Sequence, residues 1–514
     1  MTNRPYREII FCTTALSVFV LLMALGSVRV AAQNLAGLEQ ERGLRVNTNL
    51  ASPGYLLFNP IISGRSYLID NEGLVVNTWQ SEYGTGHSLY LLDNGNLIRE
   101  GIVVENGKYA GGQGGQIQEF TWDGELVWDY RLANDEYLLH HDAAILPNGN
   151  ILAIAWEFKT AEEARAAGRR PDILGDIGLW PEVVLELERR GSDGAEIVWA
   201  WRAWDHYIQD FDPDADNYGV ISEHPELFDI NADSIADELS DQQLAQLRTR
   251  ADITMLDGEG AARRAADTMH FNSIAYNAEL DQIVISANRY QEFFILDRST
   301  TTEEAAGSSG GRYGMGGDIL YRWGKASKYD RGGRRPQILH NQHDVRWIDP
   351  GLPGAGNITL FSNQNPGVSG VHSVILELEL PIDSNGHYSL GEDGQYGPEF
   401  PVWSYQAPDS RSFFSPFLSG AQRLATGHTL ITSGPQGRFF EVTPKGEIVW
   451  EYWTPYSGEA SLPHHEWLVE DNAPNLYATF RTTKIPPDHP GLVGRDLSPL
   501  NPQPPAVPHV VLED

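Results

Sequence analysis

Along most of the chain, apolar and polar residues alternate over short runs that end in Asn, Asp, Gly or Pro, the pattern of half-buried strands joined by turns. H-D-A-A-I-L-P-N-G-N-I-L from His141 reads as a strand, a tight turn and a second strand. Asn-Gly suits such a turn because both residues tolerate positive φ. After a loop, V-V-L-E-L-E-R-R from Val183 and G-A-E-I-V-W-A-W from Gly194 supply two more strands, so this stretch predicts one four-stranded antiparallel sheet.

The unit recurs. Its front half begins at His87, His141, His270, His343, Ser419 and His465, and its back half, an apolar-aromatic strand, at Gly73, Gly124, Gly194, Ile319, Phe400 and Gly446. The back half at Gly73 precedes every front half, and the front half at His465 lacks a back half. A ring closure resolves both: the segment near Ser66 to Trp79 completes the sheet begun at His465, which also protects its edge. The repeat count predicts an all-β fold, a six-bladed β-propeller over 61–484 with an N-terminal strand closing the last blade. An acidic insertion over 206–268 is partly helical, from Asp237 to Ala251, and 299–317 reads as a Thr/Ser/Gly-rich loop. Residues 33–60 read as a leader and 485–514 as a Pro-rich tail packed outside. Trp79, Trp128, Trp199, Trp403 and Trp450 read as packing between blades.

Charge and termini narrow the function. The 514 residues carry a net charge of -33, which argues against nucleic acid as a partner. Arg4 and Arg7, the apolar run from Ile9 to Gly26 and Val30-Ala31-Ala32 read as a signal peptide over 1–32, so the protein is expected to be exported, periplasmic or extracellular. If uncleaved, the same run anchors it to a membrane. The one cysteine, Cys12, lies in this run, which leaves the exported chain without a disulfide.

Inner strands of a propeller line its channel, so their starting positions converge near one mouth. Five of six starts carry His (His87, His141, His270, His343 and His465) out of 15 histidines, and the sixth is Ser419. Imidazoles so placed could bind a metal, act as acids and bases near neutral pH, or attack as nucleophiles. Strand alternation turns Asp142, Asp344 and Glu466 away from the ring and gives Asn272 the same face as His270. Asp212, Asp214, Asp216 and Glu223 have the spacing of a calcium loop, with Asn217 where such loops place Gly. No other cofactor is expected.

M-H-F-N-S-I-A-Y-N from Met269, the Arg of S-A-N-R-Y from Ser286 and N-Q-H-D from Asn341 resemble the bacterial arylsulfotransferases. That resemblance spans roughly residues 60 to 495 and implies an exported, PAPS-independent six-bladed propeller. Such enzymes move a sulfuryl group from an aryl sulfate donor to a phenolic acceptor through a sulfated histidine. Carried over by motif, it implies His343 as nucleophile, with His270, Arg289 and His141 as further catalytic residues and Asn272 contacting substrate; His87 and His465, the remaining histidines of the ring, are expected to contact substrate as well. Two departures stand out: better-known members have an N-terminal β-sandwich, which the leader here is too short to supply, and a disulfide near the site. They leave room for a propeller that binds a sulfated or other anionic ligand without turnover. Metal-dependent hydrolysis or lysis in the ring is a third reading.

Overall fold

The computed structural model describes residues 40–61, 63–103, 111–232, 265–332, 335–367, 370–458 and 477–506. The signal segment 1–32, the helix expected from Asp237 to Ala251, and His465 lie outside the described residues. The fold is a six-bladed β-propeller. From the channel outward, blade 1 is Thr85–Leu91, Leu97–Ile102, Gly115–Phe120 and Leu126–Arg131, and blade 2 is Tyr137–Ile145, Ile151–Glu157, Glu182–Arg190 and Gly194–Arg202. Blade 3 is Phe271–Asn277, Gln282–Ala287, Glu292–Asp297 and Tyr321–Gly324, and blade 4 is His343–Trp347, Ile358–Asn365, His372–Leu378 and Trp403–Tyr405. Blade 5 is Gly420–Arg423, Thr429–Ser433, Arg438–Val442 and Ile448–Trp453, with Gly43–Asn47 paired antiparallel on its outer edge.

Blade 6 closes the ring, but its division differs from the sequence expectation. Its inner strand is Thr479–Ile485, and Tyr55–Pro60, Arg65–Ile69 and Val75–Gln80 follow outward. Tyr55–Pro60 and Gly43–Asn47 thus come from the segment read as a leader. The inner strand T-F-R-T-T-K-I lines a polar channel, so it lacks the apolar run that marks the other strands. The last residues lie outside this blade: the Leu500 amide donates to the Val75 carbonyl, and Gln503 exchanges hydrogen bonds with the Val75 backbone.

Adjacent blades are held by apolar layers and by a tryptophan clasp. Ile154 and Val184 of blade 2, for example, pack with Ile283, Ile285 and Phe294 of blade 3. Each outer strand carries at least one Trp whose indole N–H donates to the connection between the outer strands of the next blade. The pairs are Trp79 to Thr121 O (2.9 Å), Trp128 to Gly194 O (2.9 Å) and Trp199 to Thr300 Oγ1 (3.2 Å). The circle closes through Trp323 to Pro398 O (2.8 Å), Trp403 to Pro444 O (2.9 Å) and Trp450 to Asn71 O (2.9 Å). A buried indole N–H needs an acceptor, and here that need fixes the blade-to-blade register. Trp323 belongs to this set although its strand, I-L-Y-R-W, lacks the Gly-led turn of most of the others.

The described part of the insertion packs on blade 3, where Phe228 meets Phe294 edge-on at 4.9 Å between ring centroids. Within it Asp212 Oδ1 accepts the amide of Asp214 at 3.0 Å, and Glu223 ends the short 3-10 turn Ile221–Glu223. Among the described residues no group of three or more His, Cys, Asp or Glu gathers to hold a metal ion. No described helix is long and apolar enough to cross a membrane.

Candidate active site

The inner strands of blades 1 to 4 share one local distortion. Antiparallel pairing slips between Thr85 and Leu89, Leu139 and Ala143, Phe271 and Ser273, and His343 and Arg346. Left-handed backbone accompanies it: His87, His141, His270 and Asp344 have φ of 108°, 56°, 57° and 56°. A bulge re-aims the side chain it carries, and positive φ on non-glycine residues concentrates at functional sites. These bulges turn the imidazoles onto one another at the channel mouth.

His141 is the hub of the cluster. Its ring centroid is 4.6 Å from that of His270, 5.6 Å from that of His87 and 5.1 Å from that of His140. Burial, reinforced by His270, His140, His87 and His343, holds its imidazole well below the ordinary histidine range. Blade 6 contributes Phe480 in place of a histidine, with centroids 4.8 Å from His87, 6.2 Å from His141 and 6.4 Å from His343. The aromatic ring therefore occupies the position that the sequence reading gave to His465.

Contacts between neighbouring inner strands define a register around the channel. Asp142 Oδ2 accepts the Ile274 amide (3.0 Å), Ser273 Oγ accepts the Val345 amide (3.0 Å), and Asp344 Oδ2 accepts the Ala421 amide (2.9 Å). The residues just before these acceptors are His141, Asn272 and His343, so Asn272 stands in register with the two histidines. His270, two residues earlier, reaches the cluster through its left-handed turn. Asp142 and Asp344 also bind Arg481, at 2.5 and 3.1 Å, and so tie blades together.

His343 is 6 % exposed. Its Nδ1 lies 2.8 Å from Asn363 Oδ1. Asn363 Nδ2 donates to the Ser415 and Leu418 carbonyls at 2.8 and 3.0 Å, so the amide cannot be turned and Oδ1 faces the imidazole. Nδ1 of His343 therefore carries the proton, and Nε2 is left with its lone pair. Burial pushes this imidazole down to about 4 despite the Asn363 bond, so it is neutral at pH 7.

His270 and Arg289 share one carboxylate. His270 Nδ1 donates to Asp267 Oδ2 at 2.6 Å, while Arg289 Nη2 lies 3.3 Å from the same oxygen and Nη1 donates to the Asp267 carbonyl. The Arg289 backbone N–H bonds the Met269 carbonyl, which brings the segment after strand Gln282–Ala287 beside His270. Burial works against a charge on Asp267, but Arg289 and His270 outweigh it and hold the carboxyl below the usual carboxylate range. Asn272 is fully buried and donates from Nδ2 to the Gln342 carbonyl at 2.8 Å, which leaves Oδ1 without a donor among the described residues.

The structure thus brings together His87, His141, His270 and His343, with Arg289 tied to His270 through Asp267. Sequence reasoning missed Asp267, Asn363, His140 and Glu182. Two carry a legible signal: His140 precedes His141, and Glu182 stands directly before the apolar run Val183-Val184-Leu185. Asp267 stands within the insertion, and Asn363 lies near the end of the strand Ile358–Asn365, past the apolar run that marks it in the sequence.

Fold and site define a β-propeller whose channel mouth gathers imidazoles beside an Arg–Asp pair. Residues 56–452 match the family Arylsulfotransferase (ASST), and the chain belongs to that family. Family membership implies small-molecule aryl sulfates and phenols as substrates. No curated protein matches the chain. Solved structures with a similar trace include a protein of unknown function from Bacteroides caccae, with 12 % identity, 84 % of this chain and 98 % of that one covered, and a TM-score of 0.42. An inactive variant of virginiamycin B lyase from Staphylococcus aureus shows 9 % identity over 80 % of this chain and 88 % of that one, TM-score 0.34. A periplasmic gluconolactonase from Pseudomonas aeruginosa shows 10 % identity over 78 % and 96 %, TM-score 0.34. These likenesses carry no functional argument.

Proposed function

We propose that the protein transfers a sulfuryl group from an aryl sulfate to a phenol in two displacements, with His343 as the nucleophile. The observation that carries this reading is the Asn363 lock, which presents a bare Nε2 on a buried, neutral ring. In the first displacement, Nε2 attacks sulfur. The N–S bond forms as the S–O(aryl) bond breaks, and the electron pair leaves on the phenolate oxygen. In the second, the acceptor phenol oxygen attacks the same sulfur, and the N–S electrons return to the imidazole.

Charge has to be met at two places. The sulfuryl oxygens need donors, and Arg289, held on Asp267, brings a planar cation to that side of the ring. Preorganised donors of this kind stabilise charge as it develops on oxygen. The leaving and attacking phenol oxygens exchange a proton, for which the imidazoles of His270 and His141 are the acids and bases. His87 and Asn272 shape the wall of the sulfate pocket in this reading. We also infer export, on the strength of the N-terminal segment.

Turnover of 4-nitrophenyl sulfate with a phenol acceptor tests the reading. Transfer that depends on the acceptor and is lost in His343→Ala is the expected result. Undiminished transfer in that variant removes His343 from the role, and binding of aryl sulfate without turnover favours a ligand-binding propeller instead.

A further inference from the structure

We propose that Glu182 and His140 form a proton relay that sets which nitrogen of His141 faces the ring, making Glu182 a positioning residue for proton transfer to and from the phenol oxygens. The reaction part of this inference rests on the sulfuryl-transfer reading; the relay itself rests on geometry. His140 Nε2 lies 2.8 Å from Glu182 Oε2, and His140 Nδ1 lies 2.8 Å from His141 Nδ1. The His140 and Glu182 side chains are fully buried, and the His140 ring is stacked on Trp156 at 4.0 Å and 15°. Glu182 Oε1 accepts the Phe271 amide at 2.8 Å, so Oε2 is the oxygen turned to His140. Three groups in line, each bonded to the next through a defined atom, leave two consistent proton arrangements for the neutral rings.

In the loaded arrangement Glu182 Oε2–H donates to His140 Nε2, His140 Nδ1–H donates to His141 Nδ1, and His141 carries its proton on Nε2. In the discharged arrangement Glu182 is ionised and accepts from His140 Nε2–H, His140 Nδ1 accepts from His141 Nδ1–H, and His141 Nε2 is bare. In the first displacement His141 Nε2 gives its proton to the departing phenolate, and one proton shifts along each link, leaving Glu182 ionised. In the second displacement the acceptor phenol gives its proton to His141 Nε2, and the shift runs back to Glu182. Protons balance over the cycle, and neither imidazole becomes a buried cation.

The surroundings favour a proton on the carboxyl at rest. Burial and the nearby Asp267 charge push Glu182 well above the usual carboxylate range, against the Phe271 amide, His270 and Arg289. Burial pushes His140 down to about 3, with Asp267 opposing. A chain that ends on a neutral carboxyl avoids the desolvation cost of a charged ring in this position.

Glu182→Gln separates the relay from other roles. Its amide oxygen keeps the Phe271 amide, so its NH2 faces His140 Nε2 and holds the loaded arrangement without being able to discharge. Nitrogen-15 spectra of histidine-labelled protein read the tautomers directly and need no activity. In wild type the expected result is one of the two linked pairs, His140 Nδ1–H with His141 Nε2–H or His140 Nε2–H with His141 Nδ1–H. In the variant only the first is expected. Both rings protonated on Nε2 in wild type, or the second pair in the variant, overturns the relay.

Kinetics supply the functional arm. With 4-nitrophenyl sulfate, whose phenolate leaves without a proton, Glu182→Gln should form sulfated enzyme within about 3-fold of wild type, since general acid help is small there. With phenyl sulfate the same step should fall about 100-fold or more, the range of a lost general acid. Equal losses on both donors contradict the proposal. If neither protein turns over any aryl sulfate, the sulfuryl-transfer reading fails while the spectra still judge the relay. Should Glu182→Gln not fold, the wild-type spectra decide alone.

Discussion

His343 Nδ1 lies 2.8 Å from an Asn363 Oδ1 whose orientation is fixed by two carbonyls, those of Ser415 and Leu418. One amide therefore ties the histidine of blade 4 to the segment leading into blade 5, and sets its tautomer. Asn363→Ala should lower the rate of sulfuryl transfer about 10- to 100-fold, the usual effect of losing the partner that orients a reacting imidazole. It should also cost about 1–3 kcal/mol in stability through the two carbonyls left unpaired. Single-turnover kinetics and urea melts check the two parts.

The low proton affinity of His343 has consequences on both axes. Its Nε2 stays free until about pH 4, so the acid limb of enzyme sulfation should fall near about 4 and not at the ordinary 6.5. For stability, the unfolded chain binds a proton between these values that the folded chain does not, so stability rises with pH across this window and is lost as pH falls from 6.5 toward about 4. The loss attributable to this residue is on the order of 3 kcal/mol. Melts of wild type and His343→Phe from pH 4 to 7 should differ in slope; parallel curves would count against a buried neutral imidazole.

Asp267 holds both Arg289 and His270. Asp267→Asn should cost about 3 kcal/mol, because removing one member of a buried ion pair leaves the other charge without compensation. Loss of the anchor for Arg289 should raise KM for the donor, and loss of the carboxylate behind His270 should lower kcat by about 100-fold. Steady-state kinetics on the donor separate the two effects.

Gly112 lies directly against His141 of the histidine cluster. A Cβ built there would come within 1.8 Å of His141 Cε1, and its φ of +86° already disfavours any side chain. Its carbonyl accepts the His141 amide at 2.8 Å, so the loop and the histidine are placed together. Gly112→Ala should displace the His141 ring, lower activity at least about 10-fold and cost about 1–3 kcal/mol through overpacking. Activity close to wild type would show that the loop yields instead.

The Trp clasp should matter for stability alone. Trp450→Phe removes the indole N–H that reaches Asn71 O, far from the channel mouth, and should cost about 1–3 kcal/mol with little change in kcat or KM.

Much of the architecture is legible in the sequence because a propeller writes one sheet repeatedly, and the His87, His141 and His343 starts share one spacing to the turn glycines Gly95, Gly149 and Gly351. Closure was misdivided for a physical reason: Thr479–Ile485 faces a polar channel, and Tyr55–Pro60 pairs on its inner side with that strand from the far end of the chain, so the two do not read as one hairpin. Site residues were legible where the repeat places them. Asn363 and Asp267 escaped because their meaning lies in hydrogen bonds across blades and out of an insertion, which no local periodicity encodes. Phe480 escaped for the opposite reason: it occupies a repeat position but breaks its residue type. His140 and Glu182 were visible as residue types, yet only the 2.8 Å links in space make them a chain.

The most direct measurement is peptide mapping by mass spectrometry of protein quenched after mixing with 4-nitrophenyl sulfate in the absence of acceptor. The account predicts one sulfuryl adduct on the peptide containing His343, discharged by added phenol and absent in His343→Ala. An adduct on another histidine, or acceptor-dependent transfer with no adduct at any stage, contradicts it.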